Sequence, residues 1–137
     1  MKEYIYDELY VGQEEAFSVH LTAEMMENFR NITGDLNPLH VDERFARDRG
    51  FPDKVAYGML TASFLSTLAG VYLPGKNSLI HSVSVEFPKP VFVGDTLEIR
   101  GIITEKDDRF HVITVKIAIR SQQNKVCRGS MKIGVIQ

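Results

Sequence analysis

Polar and apolar residues alternate in four stretches of the second half of the chain, whereas in much of the first half apolar residues recur three and four apart. Val83, Val85 and Phe87 alternate with Ser82, Ser84 and Glu86; Leu97, Ile99, Gly101 and Ile103 alternate with charged or polar neighbours. Ile113, Val115, Ile117 and Ile119 do so with Thr114, Lys116 and Arg120, and Lys125 to Ile136 carries Cys127, Met131, Ile133 and Val135 on one side. A period of two is that of a strand with one apolar face, so each stretch predicts a strand. Turn residues at Val93-Gly94-Asp95, Lys106-Asp107-Asp108 and Gln122-Gln123-Asn124-Lys125 separate them. Connections this short exclude parallel crossovers and predict an antiparallel meander from Ser78 onward.

The first twenty residues also read as extended: Tyr4 to Tyr10, a turn near Gly12, then Ala16 to Leu21. The period then changes. Thr22 is an N-cap residue, Glu24 suits a first turn, and Met25, Met26, Phe29 and Ile32 keep helical spacing until Gly34 offers a C-cap. Asp42 caps a short predicted helix through Phe45 and Ala46 that stops at Gly50, with Pro52 as a breaker. A helix from about Gly58 to Val71, closed by Pro74-Gly75, follows. The stretch from Val55 to Leu73 has no charged residue and nearly bilayer length, yet Thr61, Ser63, Ser66 and Thr67 interrupt it. It reads as a helix buried on nearly all sides within a fold rather than a membrane span. Only the sheet is large enough to bury it, so the expected class is α+β: one antiparallel sheet wrapped round a buried central helix, the hot-dog arrangement.

Composition narrows the function classes. With 137 residues the chain is expected to be one domain over 1–137, large enough to bury roughly two-thirds of its unfolded surface. Lysine and arginine number 16 against 18 acidic residues, and a pI near 6.1 argues against nucleic acid as a partner. A single cysteine, Cys127, excludes an internal disulfide and a multi-cysteine metal site. The charged start MKEYIYDELY lacks an apolar signal core, so a cytoplasmic location is expected. His20, His81 and His111 lie in strand patterns at spacings that match no metal motif, and no metal is expected.

The segment Thr33-Gly34-Asp35-Leu36-Asn37-Pro38-Leu39-His40 carries the candidate chemistry. Pro38 pushes Asn37 out of helical conformation, so a carboxylate and an imidazole five residues apart lie on an irregular loop that can turn both toward one point. Gly, Asp, Asn and Pro together are also ordinary turn chemistry, and from the residues alone both readings stand.

From Phe29 to His40, followed five residues later by Ala46, the chain resembles the hydratase motif of the MaoC-like (R)-specific enoyl-CoA hydratases, with every motif position matched over eighteen residues. The likeness extends to Val55-Ala56-Tyr57-Gly58-Met59-Leu60, to Leu73-Pro74-Gly75, and to the segment from Phe87 to Asp95. It implies a catalytic dyad of Asp35 and His40, an oxyanion hole at the Gly58 N–H, and support of dyad or substrate from Ser66, Asn37 and Tyr57. Tyr57 departs from the histidine common at this position in the family. The implied reaction is reversible hydration of trans-2-enoyl thioesters to (R)-3-hydroxyacyl thioesters, without a cofactor beyond the coenzyme A or acyl carrier protein that belongs to the substrate. It also implies a homodimer or dimer-based oligomer whose sheets join edge to edge. The rival readings are a hot-dog thioesterase, which commonly places a carboxylate or nucleophile on or near the central helix, and a non-catalytic acyl-thioester binding subunit. Gly58 to Val71 holds no carboxylate, and Asp35 and His40 are both present.

Overall fold

The computed structural model describes all 137 residues. Five strands form one antiparallel sheet: β1 (Glu14–His20), β2 (Ser78–Glu86), β3 (Thr96–Asp107), β4 (Val112–Ser121) and β5 (Asn124–Val135). Their spatial order is β1-β3-β4-β5-β2. The helices are α1 (Ala23–Thr33), α2 (Pro38–Val41), α3 (Glu43–Asp48) and α4 (Gly58–Thr67), and α4 runs on into a π-helical turn, Leu68–Tyr72.

The sheet curls round α4 because the alternating residues of its three central strands share one apolar face. Leu97, Ile99 and Ile103 of β3, Ile113, Val115, Ile117 and Ile119 of β4, and Cys127, Met131 and Ile133 of β5 are almost completely buried. Against them pack Leu65, Leu68, Ala69 and Leu73, and each of these leucines removed from water stabilises the fold by about 1.5–3 kcal/mol. Gly101 interrupts the apolar series of β3 for a steric reason. A Cβ there would lie 2.8 Å from both Leu68 Cδ2 and Val115 Cγ1, so glycine lets the helix settle onto the strand. The helix ends with the Leu73 N–H donating to the Leu68 carbonyl at 2.8 Å, a bond across five residues that widens the last turn.

Three expectations need correction. The segment from Tyr4 to Tyr10 is not extended but contains a 3₁₀ turn, Tyr6–Glu8. The Tyr6 ring is buried and stacks on His111 at 4.3 Å, while its hydroxyl donates to Asp108 at 2.7 Å. Lys106 donates to the carbonyls of Tyr6 and Leu9, so anchoring to a distant hairpin overrides the local alternation. Secondly, only β3, β4 and β5 form a meander; β2 pairs with β5 at the far edge, and residues 87–95 carry the chain across to β3. As an edge strand β2 projects beyond the helix, which leaves Val83 47% exposed rather than inward. Thirdly, α4 is not covered on nearly all sides, because Met59 is 64% exposed and Ser63 and Ser66 are also exposed beside a groove facing β2. No helix is long and apolar enough to cross a membrane.

Burial holds three groups protonated. It pushes the Cys127 thiol up to about 11, raises the Tyr6 phenol with help from Asp108, and raises the Tyr57 phenol with help from Asp35. The folded chain therefore binds these protons more firmly than the unfolded one, and their contribution is complete below the ordinary thiol and phenol values and declines above them. Stability in urea is expected to fall progressively above about pH 9–10, and less steeply in Tyr6→Phe. A flat urea midpoint from pH 8 to pH 11 would contradict this.

Candidate active site

The site loop begins where α1 ends. Thr22 caps the start of α1 by accepting the Met25 N–H, and Gly34, at φ 72°, ends it in the left-handed conformation that glycine adopts without strain. Asp35 Oδ1 then accepts the Asn37 N–H at 3.0 Å, and Asn37 Oδ1 accepts the Leu39 N–H at 3.0 Å. With Pro38 at its first position, α2 starts there and carries His40. Two successive side-chain turns thus set the separation between Asp35 and His40. Asn37 serves as a cap, and its side chain does not line the main cavity.

His40 Nδ1 lies 2.7 Å from the Val55 carbonyl. A carbonyl can only accept, so Nδ1 carries the proton, and in the neutral ring Nε2 is left with a free lone pair. Tyr57 holds the other side. Its ring, 2% exposed, lies 4.3 Å from the His40 ring and 4.9 Å from the Phe29 ring, and its hydroxyl donates to the backbone carbonyl of Asp35 at 2.7 Å. One buried tyrosine therefore ties the site loop to the start of α4.

Residue 57 also precedes the first turn of that helix. No acceptor in the protein takes the N–H of Gly58, the first residue of α4, as expected for a helix start without a side-chain cap. A Cβ here would sit in ordinary van der Waals contact with the Phe87 ring, at 3.6 Å. Asp35, His40, Tyr57, Gly58 and Ser66 all line one cavity of about 830 Å³ between α4 and β2, walled by Phe29, Val83 and Phe87. No hydrogen bond joins the Asp35 carboxylate, the His40 ring and the Ser66 hydroxyl to one another; Asp35 Oδ1 and His40 Nδ1 are engaged by backbone groups instead. Sequence reasoning missed the Val55 carbonyl, since a backbone acceptor has no signature in residue type. It also missed the aromatic wall of Phe29 and Phe87.

This arrangement offers a base, a carboxylate and an unpaired N–H donor around one apolar chamber. Comparison with known proteins agrees in extent. The (R)-specific enoyl-CoA hydratase of Aeromonas caviae is 38% identical over 111 residues, covering 80% of this chain and 83% of the relative. The 3-hydroxybutyryl-CoA dehydratase of Methylorubrum extorquens is 33% identical over 100 residues, 73% of this chain and 64% of the relative. Among solved structures, the (R)-hydratase from A. caviae involved in PHA biosynthesis superposes with a TM-score of 0.89 at 33% identity, over 93% of this chain and 97% of that one. The family model for the MaoC like domain matches residues 10–125, a span that takes in the site loop, α4 and strands β1 to β4. A match over that length, with relatives aligned through the same fold, makes this chain a member of the MaoC-like domain family.

Proposed function

We propose that this protein is a hydratase that adds water reversibly to trans-2-enoyl thioesters, giving (R)-3-hydroxyacyl thioesters. The observation that carries the reading is the His40 tautomer: Nδ1 is committed to the Val55 carbonyl, so Nε2 is a base in the cavity that Asp35 and Gly58 also line. The names of the relatives, enoyl-CoA hydratase and 3-hydroxybutyryl-CoA dehydratase, support the same chemistry in both directions.

In this reading water lies between Asp35 and His40. His40 Nε2 takes one proton as the water oxygen bonds the β-carbon, and Asp35 accepts a hydrogen bond from the other O–H and orients it. The electron pair of the double bond moves toward the thioester carbonyl, whose developing negative charge meets the N–H of Gly58 at the positive end of α4. The dyad then returns one proton to the α-carbon, so the net addition is one water. The thioesterase reading has no carboxylate on α4 to support it.

An edge strand with exposed Leu79, Val83 and nearby Phe87, next to exposed Met59, is an apolar border that a second copy of the chain would cover. We place the dimer contact there, with the open side of the main cavity against it.

With crotonyl-CoA as substrate, Asp35→Asn and His40→Gln are each expected to lower turnover by roughly 10²-fold to 10⁴-fold, with little change in substrate binding. The double variant should be hardly slower than the poorer single one. Near-native turnover in either folded variant, or release of free thiol in place of loss of the conjugated-thioester absorbance, would overturn the proposal. Tyr57→Phe should cost about 1 kcal/mol in urea unfolding, and turnover should drop roughly tenfold as the Asp35 loop loosens. Sedimentation equilibrium should give a dimer for the native chain and a 15.5 kDa monomer for Val83→Lys.

A further inference from the structure

Gly58 stands between two cavities. Beyond the main one lies a second, of about 330 Å³, which shares His40, Gly58 and Phe87 with it and reaches Thr61, Lys89 and Val126. A substrate whose carbonyl rests at Gly58 has two arms, acyl and thiol, and the protein has a cavity on each side of that point.

Thr61 is the anomaly in the second cavity. It is 1% exposed, and its Oγ1 is the one buried side-chain polar atom with no hydrogen-bond partner. A helical threonine ordinarily donates back to the carbonyl one turn earlier. Here that carbonyl, of Tyr57, already accepts the N–H groups of Leu60 and Thr61, at 3.1 and 3.2 Å. Ser63 shows the ordinary solution, donating to the Leu60 carbonyl at 2.6 Å. Thr61 Oγ1 also accepts from no group of the protein, so in a residue that lines the cavity its lone pairs are left for an N–H of a ligand.

The linings distinguish the arms. Nine of the fifteen residues of the main cavity are hydrophobic and none is lysine or arginine, which suits an acyl chain. The second cavity is edged by exposed Lys89, whose Nζ donates to Asn124 at 3.1 Å, and Lys125 continues the positive charge along β5, whereas Arg128 is paired with Glu86 at 2.9 Å. Coenzyme A and carrier proteins both attach their acyl group through a phosphorylated pantetheine arm, and positive charge belongs on the phosphate side. That arm begins with a cysteamine unit, whose amide nitrogen is three bonds beyond the sulfur. Thr61 follows Gly58 by three residues, on the same side of α4 and about 4.5 Å further along its axis. This matches the offset between a carbonyl held at Gly58 and that amide.

We propose that the second cavity receives the thiol arm of the substrate and that Thr61 Oγ1 accepts the cysteamine amide N–H, making Thr61 a residue that positions the thioester over the dyad. The proposal rests on the hydratase reading and names the part of the substrate that the site recognises. It is tested with two truncated substrates that differ in one atom group: the N-acetylcysteamine thioester of crotonic acid, and its 2-acetoxyethyl analogue, in which oxygen replaces the N–H. Wild type should favour the amide by at least fivefold in kcat/KM; Thr61→Val should reduce that ratio to about one; Thr61→Ser, which keeps the hydroxyl, should retain it. Because the ratio is taken within one protein sample, partial misfolding of a variant does not alter it. With crotonyl-CoA, Thr61→Val should raise KM at least fivefold and leave the pH profile of turnover in place. An unchanged ratio in Thr61→Val, no preference in wild type, or an unchanged KM for crotonyl-CoA overturns the assignment of Thr61 while hydration itself stands. Failure of wild type to hydrate any of the three thioesters overturns the hydratase reading, and this inference with it.

Discussion

The seating of α4 in the concave face of the sheet is the constraint on which the rest of the molecule depends. Leu65, Leu68 and Ala69 are held against the isoleucines and valines of β3 and β4, and Gly101 removes the one Cβ that would keep helix and sheet apart. Once the helix is fixed at that depth, its first residue has a fixed position too. Gly58 is therefore presented at a set point between two cavities, with its N–H free. A helix start is a place where donors lack partners by geometry, and here the packing decides what those donors face.

The candidate site is organised largely by backbone groups. Val55 fixes the imidazole of His40 through its carbonyl, the Asp35 carbonyl takes the Tyr57 hydroxyl, and the Asn37 N–H holds the Asp35 carboxylate. Each bond joins Asp35, His40 or their loop to a neighbouring element, which holds the two side chains in place. Tyr57 is central in this respect: it packs on His40, shields the site, and restrains Asp35 from a position twenty-two residues away in the chain. Its phenol reaches the loop carbonyl while remaining buried.

The unfinished side of the chain is equally physical. Strand β2 lies at the sheet edge, past the reach of α4, and the apolar side chains it shows to solvent border the same cavity as Asp35 and His40. An edge strand with open backbone groups and exposed apolar residues is unstable toward association unless something covers it. Fold and site thus meet at one border.

Much of this was legible from residue order. The period-two stretches located β3, β4 and β5, Thr22 and Gly34 marked the ends of α1, and the run from Phe29 to His40 located the loop that carries Asp35 and His40. These features are local, since alternation, capping and turn chemistry act within a few residues. What tertiary structure alone decided involved partners far apart in the chain. The pattern around Tyr6 read as strand, yet the ring's burial against His111 made a turn; the pattern of Val83 read as an inward face, yet β2 lies beyond the helix. The carbonyl that sets the His40 tautomer and the unpartnered hydroxyl of Thr61 have no signature in sequence, because any residue supplies a carbonyl and a threonine in a helix ordinarily satisfies itself. Local composition determines which elements form, whereas the depth at which helix and sheet pack determines which polar atoms are left without a partner, and those atoms are the ones available to a substrate.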